Sequence, residues 1–82
     1  MNPRAQKVSP LENYKVLVCF TNGEQGIYDC KELLNFGVFK ELRNKAYFKK
    51  VKVHSGTIQW PNEQDICPDT LYIDSIKNGI II

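Results

Sequence analysis

The sequence has no long apolar run and contains little cysteine or histidine. Among its 82 residues are three cysteines and one histidine. No apolar run approaches the roughly 20 residues that a membrane-spanning helix needs. Residues 1–7 have no apolar centre, so no secretory signal is expected there. These absences predict a cytoplasmic protein with no membrane association.

The cysteines lie far apart, at Cys19, Cys30 and Cys67, and none forms a C-x-x-C pair. An odd number without a regular spacing fits a reducing compartment, where cysteine behaves as a small apolar residue. A zinc site is poorly supported, because only one histidine, His54, could assist the cysteines. We predict neither a metal site nor a cofactor.

The composition is that of an ordinary globular protein. Hydrophobic residues make up 43% and charged residues 24%, with a net charge of only +2. Such values lie far from those of disordered chains. A chain of this length holds one domain, residues 1–82, with no room for a second core. So small a core leaves a few kcal/mol of net stability, which an oligomer or partner would increase.

Alternating apolar residues predict strands in the first half of the chain. Residues 14–20 place Tyr14, Val16, Val18 and Phe20 on one face. Asn22-Gly23 is the preferred dipeptide of a two-residue type I′ turn, so residues 25–29 should return as a hairpin partner. A short strand at about residues 4–9 is expected to pair with this hairpin.

Short helical turns are expected between the strands. Asp29 and Glu32 have the spacing of a capping box, with Asp29 accepting from the amide three residues on. Further turns are predicted over residues 38–42 and after Asn44, which would cap the second of them. None of these segments is long enough for an extended amphipathic helix.

The second half returns to strands and ends with a helix. Residues 50–54 and 58–60 alternate as strands, joined by a turn at Ser55-Gly56. Pro61 closes the second strand, and Pro68 begins a helix whose packing side carries Leu71, Tyr72, Ser75 and Ile76. This order predicts an α+β fold, in which a small antiparallel sheet with hairpins is packed against short helices.

Several segments together resemble a known family. They include FTNGE at residues 20–24, GVFKEL at 37–42, GTIQWPN at 56–62 and DICPDTLY at 65–72, with residues 2–4 and 47–51. Over most of the chain they resemble the bacterial domain of unknown function 2442.

The resemblance implies a small α+β domain in a bacterial cytosol. It also implies a partner, because members are often encoded beside another small protein in pairs resembling toxin–antitoxin modules. Some longer members carry a C-terminal helix-turn-helix domain, but this sequence ends at Ile82, so no DNA-reading role is carried over. The family supplies no catalytic residues.

Two clusters have the residue types of a chemical site. Asp65, Asp69 and Asp74 could ligate a metal, although carboxylates near a helix start commonly serve only to favour its N-terminus. Cys67 could be a nucleophile with His54 as base, but nothing in their spacing aligns the two. We therefore predict no catalytic residues and no enzyme activity.

A basic run and an apolar set are the stronger candidates for binding. The basic run could contact nucleic-acid phosphates, with Tyr47 and Phe48 stacking on bases, although the low net charge favours neutralisation within the fold. Trp60 is either a partner anchor or a core residue on an inward strand position. The candidate nucleic-acid contacts are Lys40, Arg43, Lys45, Lys49, Lys50 and Lys52, and the candidate partner contacts are Trp60, Tyr72, Ile80, Ile81 and Ile82.

The sequence thus favours a non-enzymatic domain that binds another small protein, in an antitoxin-like or regulatory role. The product of the adjacent gene is the expected partner, and an open strand edge would also favour a homodimer. Nucleic-acid binding through the basic run is the alternative.

Overall fold

The computed structural model describes residues 2–77, which form five strands and four short helices. Strands β1, β2 and β3 make one antiparallel sheet in that order, and β4 and β5 make a separate antiparallel hairpin. This arrangement confirms the predicted α+β class. The elements are β1 (Ala5–Pro10), β2 (Lys15–Phe20), β3 (Gln25–Asp29), two 3-10 helices (Lys31–Asn35 and Gly37–Arg43), α1 (Lys45–Phe48), β4 (Lys52–His54), β5 (Thr57–Gln59) and α2 (Pro68–Lys77).

The three-stranded sheet has one covered face and one open face. On the inner face, Val16, Val18 and Phe20 of the central strand are buried, as their period-two spacing predicts. On the outer face, Leu17 and Cys19 are only half-buried. The helices and the β4–β5 hairpin therefore build one core against the inner face.

The β2–β3 hairpin lies where it was predicted, but its turn is of another type. Gly23 has a φ of 90°, whereas Asn22 does not have a positive φ. The Gly23 amide donates to the Phe20 carbonyl at 3.0 Å, and the Phe20 amide donates to the Glu24 carbonyl at 2.8 Å. This is a three-residue loop that ends in a left-handed glycine. The predicted type I′ turn is wrong here, because the Asn22 side chain accepts from the Glu24 amide and favours the longer loop.

The β4–β5 hairpin does have the two-residue geometry. Ser55 and Gly56 both have positive φ, at 50° and 79°, and they connect the paired residues His54 and Thr57. The predicted turn at this position is confirmed.

Helix boundaries follow the predicted residues with one exception. Asn44 caps α1 by accepting from the Ala46 and Tyr47 amides, and Pro68 is the first residue of α2. The predicted capping box of Asp29 and Glu32 is wrong, because the first 3-10 helix begins one residue later. Its N-cap is Cys30, and Asp29 accepts from the Lys31 amide at 2.9 Å.

Trp60 lies in the centre of the core and is fully buried. Its indole N–H donates to the Phe48 carbonyl at 2.9 Å, and the two ring centroids are 5.9 Å apart. This position removes Trp60 from the candidate partner contacts, because a fully buried side chain offers no surface. The core alternative accounts for it, since β5 continues its inward alternation to this residue.

Helix α2 packs on the inner face, close to β3. Leu71 and Ser75 are fully buried, whereas Tyr72 and Ile76 are half-buried, so the predicted packing side is confirmed. Gly26 of β3 permits the closest contact, since a Cβ there would lie 2.8 Å from the Ser75 carbonyl oxygen. Within residues 2–77, no helix has the length and apolar character to cross a membrane.

Candidate interaction surfaces

The six cations of the predicted basic run form an exposed surface, which we call the basic surface. They lie on the second 3-10 helix, on α1 and just after it, and on β4. Every one of the six residues is exposed, and the Arg43 Nε also donates to the Leu34 carbonyl at 3.1 Å. The fold therefore leaves their charges free to meet solvent or an anion. The six are Lys40, Arg43, Lys45, Lys49, Lys50 and Lys52.

An open cleft of about 600 Å³ borders the basic surface. Two of its lining residues, Asn13 and Tyr14, have a φ of 60°, which is an uncommon conformation for a tyrosine. The Tyr14 hydroxyl donates to the Arg43 carbonyl at 2.6 Å, and its ring meets Phe48 edge-on at 5.4 Å. These contacts hold Tyr14 in place against the backbone strain. The cleft is lined by Pro10, Leu11, Glu12, Asn13, Tyr14, Lys45, Phe48 and Lys49.

One predicted acidic residue, Asp65, lies beside the β4–β5 hairpin, which carries part of the basic surface. Lys52 is opposite Gln59, and Gln59 is opposite Asp65 in an isolated bridge. Residues opposite one another share a face, so Asp65 and Lys52 lie on one face two strands apart, at about 10 Å. Asp65 therefore offsets part of the charge at this end of the basic surface.

The other acidic residues of the predicted cluster do not converge with Asp65 on one point. Asp69 is exposed in the first turn of α2 and accepts from the Asn2 side chain at 3.3 Å. Within the part of the chain that the structure describes, no three histidine, cysteine or acidic side chains lie close enough to hold a metal ion.

Cys67 and His54 are separate features of the surface. Cys67 is exposed immediately before α2, where hydrogen bonds from the Thr70 and Asp69 amides lower the pKa of its thiol. His54 is exposed at the end of β4, and no hydrogen bond among residues 2–77 joins it to Cys67. Cys30 is the opposite case, since burial raises the pKa of its thiol to about 12.

Tyr72 is half-buried, with its ring edge-on to Phe20 at 4.9 Å. Its hydroxyl donates to Glu24 Oε1, and this bond lowers the pKa of the carboxyl and raises that of the tyrosine. Tyr72 thus links α2 to the β2–β3 loop, and part of its side chain remains exposed to solvent. The other candidate partner contacts, Ile80, Ile81 and Ile82, lie outside the described residues.

A hydrogen-bond network around Glu41 was not anticipated from the sequence. The Glu41 carboxylate accepts from Asn62 Nδ2 at 2.7 Å and from Gln64 Nε2 at 3.1 Å. The Tyr47 hydroxyl donates to Gln64 Oε1 at 2.7 Å and accepts from the Asn62 amide at 2.8 Å. Gln64 is buried, so its bonds to Glu41 and Tyr47 replace bonds to water. We call these four residues the Glu41 network.

The Glu41 network is bonded to an exposed apolar turn at the junction of the two 3-10 helices, made of Phe36 and the second residue of the second helix, Val38. Phe36 is 61% exposed and Val38 is 68% exposed. Gln64 Nε2 donates to the Val38 carbonyl at 3.0 Å, and the Phe36 amide donates to the Leu33 carbonyl at 2.9 Å. We call Phe36 and Val38 the apolar turn. Large apolar side chains held outward by a rigid backbone are typical of protein-binding surfaces.

Sequence comparison places the chain in a family. Residues 5–77 match the profile of a family described as "Protein of unknown function (DUF2442)". The chain belongs to this family. The resemblance seen in the sequence is thereby confirmed, and the DUF2442 match covers the sheet, both hairpins and α2. No curated protein and no solved structure matches the chain.

Proposed function

We propose that this DUF2442 domain is a non-enzymatic protein-binding domain that contacts its partner through the apolar turn. The observation that carries the proposal is the exposure of Phe36 and Val38 on a turn whose backbone is tied to the core. An exposed aromatic next to an exposed aliphatic residue has the composition of a binding hot spot. A rigid turn also loses little conformational freedom on binding, which favours affinity.

The partner that best suits this turn is a protein with an apolar groove. Lys40 is exposed two residues after Val38, so an acidic rim on that groove would complement the turn. The product of the adjacent gene is the first candidate, and an antitoxin-like or regulatory role would follow from such a pair. The dispersed positions of Cys67, His54 and the acidic residues support a binding role over a catalytic one.

The first test replaces Phe36 and Val38 together with serine. The expected result is an affinity for the adjacent-gene protein at least 30-fold weaker, because a hot-spot residue contributes about 2 kcal/mol or more. Folding should be unaffected, since both side chains are mostly exposed. Titration calorimetry on the co-expressed and separated proteins measures the change.

The matched control is Ile73→Ser, which removes an apolar side chain that is 51% exposed on α2. This variant should bind as the wild type does. Independent migration of the two wild-type proteins in gentle salt, or equal binding by the double variant, would contradict the proposal.

Nucleic-acid binding through the basic surface is the second candidate. It is favoured by one observation, the exposure of all six cations, of which Lys45 and Lys49 line a cleft that contains Tyr14. Phosphates would contact the lysines while a base enters the cleft, a combination used by proteins that bind single strands.

Reversing two charges tests this candidate, with Lys49→Glu and Lys52→Glu in one chain. If the surface binds single-stranded oligonucleotides, affinity should fall at least tenfold, and the slope of log affinity against log salt should decrease by about 2. Fluorescence anisotropy at several salt concentrations measures both quantities. The control, Lys7→Glu with Lys31→Glu, makes the same change in net charge at exposed positions elsewhere. Unchanged binding by the first variant excludes the basic surface.

A further inference from the structure

Within the described residues, the outer edge of β3 is an unpaired strand edge. The Phe20 amide donates to Glu24 and the Cys30 amide donates to Tyr14, which sets the phase of the β2–β3 ladder. In an antiparallel pair, every second residue of a strand directs its N–H and C=O groups toward the partner strand, and the residues between them direct theirs away from it. The peptide groups of Gln25, Ile27 and Asp29 therefore point away from β2. Within residues 2–77 they have no backbone partner.

The two edges of this sheet differ in how they are protected. The β1 edge carries Lys7 and Pro10 and has a register shift between Ala5 and Lys7. Its start is also paired, since the Ala5 amide donates to the Gly56 carbonyl at 2.8 Å. Lysine, proline and bulges are the usual means by which an edge resists pairing. Strand β3 has none of them.

We propose that β3 is a dimerisation edge, on which β3 of a second copy of this chain pairs antiparallel about a two-fold axis at Ile27. A centre at Ile27 pairs all three outward-facing residues of each copy, whereas a centre at Gly26 or Tyr28 would pair only two of them. Ile27 then bonds Ile27 of the second copy, and Gln25 bonds Asp29 of the second copy. The result is a continuous six-stranded sheet.

The side chains on the outer face fit this pairing. Leu17 is opposite Ile27, so the self-pair makes an apolar row of Leu17 and Ile27 from both copies, which ends at Ser9 on each side. Asp29 lies opposite Lys15 within the chain and meets Gln25, not a second Asp29, across the axis. No like charges face each other across the axis, so electrostatic repulsion does not destabilise the strand pair.

The short β3 edge limits the affinity of the dimer. A pair of five-residue strands falls below the 1,200–2,000 Å² that standard stable interfaces bury. We therefore expect a reversible dimer with a dissociation constant on the order of 10 µM, as for weak interfaces of this size. The proposal is independent of the apolar turn, since Phe36 and Val38 lie on another element.

Sedimentation velocity of the full chain between about 1 and 500 µM tests the proposal. The weight-average mass should rise from 9.5 kDa toward twice that value. Ile27→Lys should weaken the dimer at least tenfold, because each lysine would face its own copy across the axis. Ser9→Lys places the same charge on the outer face two strands away and should dimerise as the wild type does.

Amide hydrogen exchange identifies the edge directly. The Ile27 amide should become protected as concentration rises, while the Gly26 and Tyr28 amides stay protected throughout. A chain that remains monomeric at 500 µM overturns the proposal. So does a dimer that Ile27→Lys leaves intact, that Ser9→Lys disrupts equally, or that leaves the Ile27 amide unprotected. A monomer whose β3 edge binds a strand of another protein also overturns the proposal, because that protein, and not a second copy of the chain, would then occupy the edge.

Discussion

Replacing Trp60 with alanine is expected to lower the free energy of unfolding by about 4 kcal/mol. The side chain is fully buried against Phe48, and its removal leaves a cavity and a Phe48 carbonyl that keeps only its 3.4 Å bond from the Val51 amide. A domain of 82 residues has a total stability of roughly 4–12 kcal/mol. At the lower end of this range the variant should be partly or wholly unfolded at 37 °C, and at the upper end it should stay folded with a lower melting temperature.

Urea denaturation followed by circular dichroism measures this loss, since the variant lacks the only tryptophan. Trp60→Phe is the graded control, because it keeps most of the apolar contact and loses the indole N–H, at a cost of about 1–3 kcal/mol. Phe36→Ala, at a residue that is 61% exposed, should cost about 0.5 kcal/mol or less. A stability of Trp60→Ala within about 1 kcal/mol of the wild type would show that Trp60 is not a core residue.

Adding a single methyl group at Gly26 is expected to cost about 2–3 kcal/mol. The Cβ of Gly26→Ala would lie 2.8 Å from the Ser75 carbonyl oxygen and 2.9 Å from the Ser75 carbonyl carbon. Both are backbone atoms, so the clash cannot be relieved by a rotamer change. Helix α2 would have to move off β3, which opens the packing of Leu71 and Tyr72.

Gly37→Ala is the matched control, because no heavy atom lies within 4 Å of a Cβ at Gly37. This variant should keep its stability within about 0.5 kcal/mol, or gain slightly from a stiffer unfolded chain. Thermal unfolding of both variants and of the wild type measures the melting temperatures that distinguish the two substitutions. Equal melting temperatures for the two variants would contradict the close contact of α2 with β3.

Features that depend on neighbouring residues were predictable from the sequence. The alternation of Val16, Val18 and Phe20, the Asn44 cap and the start of α2 at Pro68 are all as predicted. Each depends on backbone geometry within a few residues, and that geometry is the same in any fold. The Asn22-Gly23 turn and the Asp29–Glu32 capping box are the exceptions, because in each place a side chain accepts from a backbone amide other than the expected one.

The candidate surfaces were only partly predictable. The exposure of the six basic residues follows from their charge, since unpaired cations are rarely buried. Nothing in the sequence indicated that Gln64 would be buried, because glutamine between two acidic residues normally lies on the surface. Its burial depends on Glu41 and Tyr47, which are 23 and 17 residues away in the chain.

By itself the sequence determined the fold class, the family, the strands of both hairpins and the starts of α1 and α2. The tertiary structure alone decided that Trp60 is a core residue, that the Glu41 network is bonded to the backbone of the apolar turn at Val38, and that β3 has a free edge within residues 2–77. The physical reason is that burial and pairing depend on contacts between distant residues. Two positions with the same local pattern can therefore end in the core or on the surface.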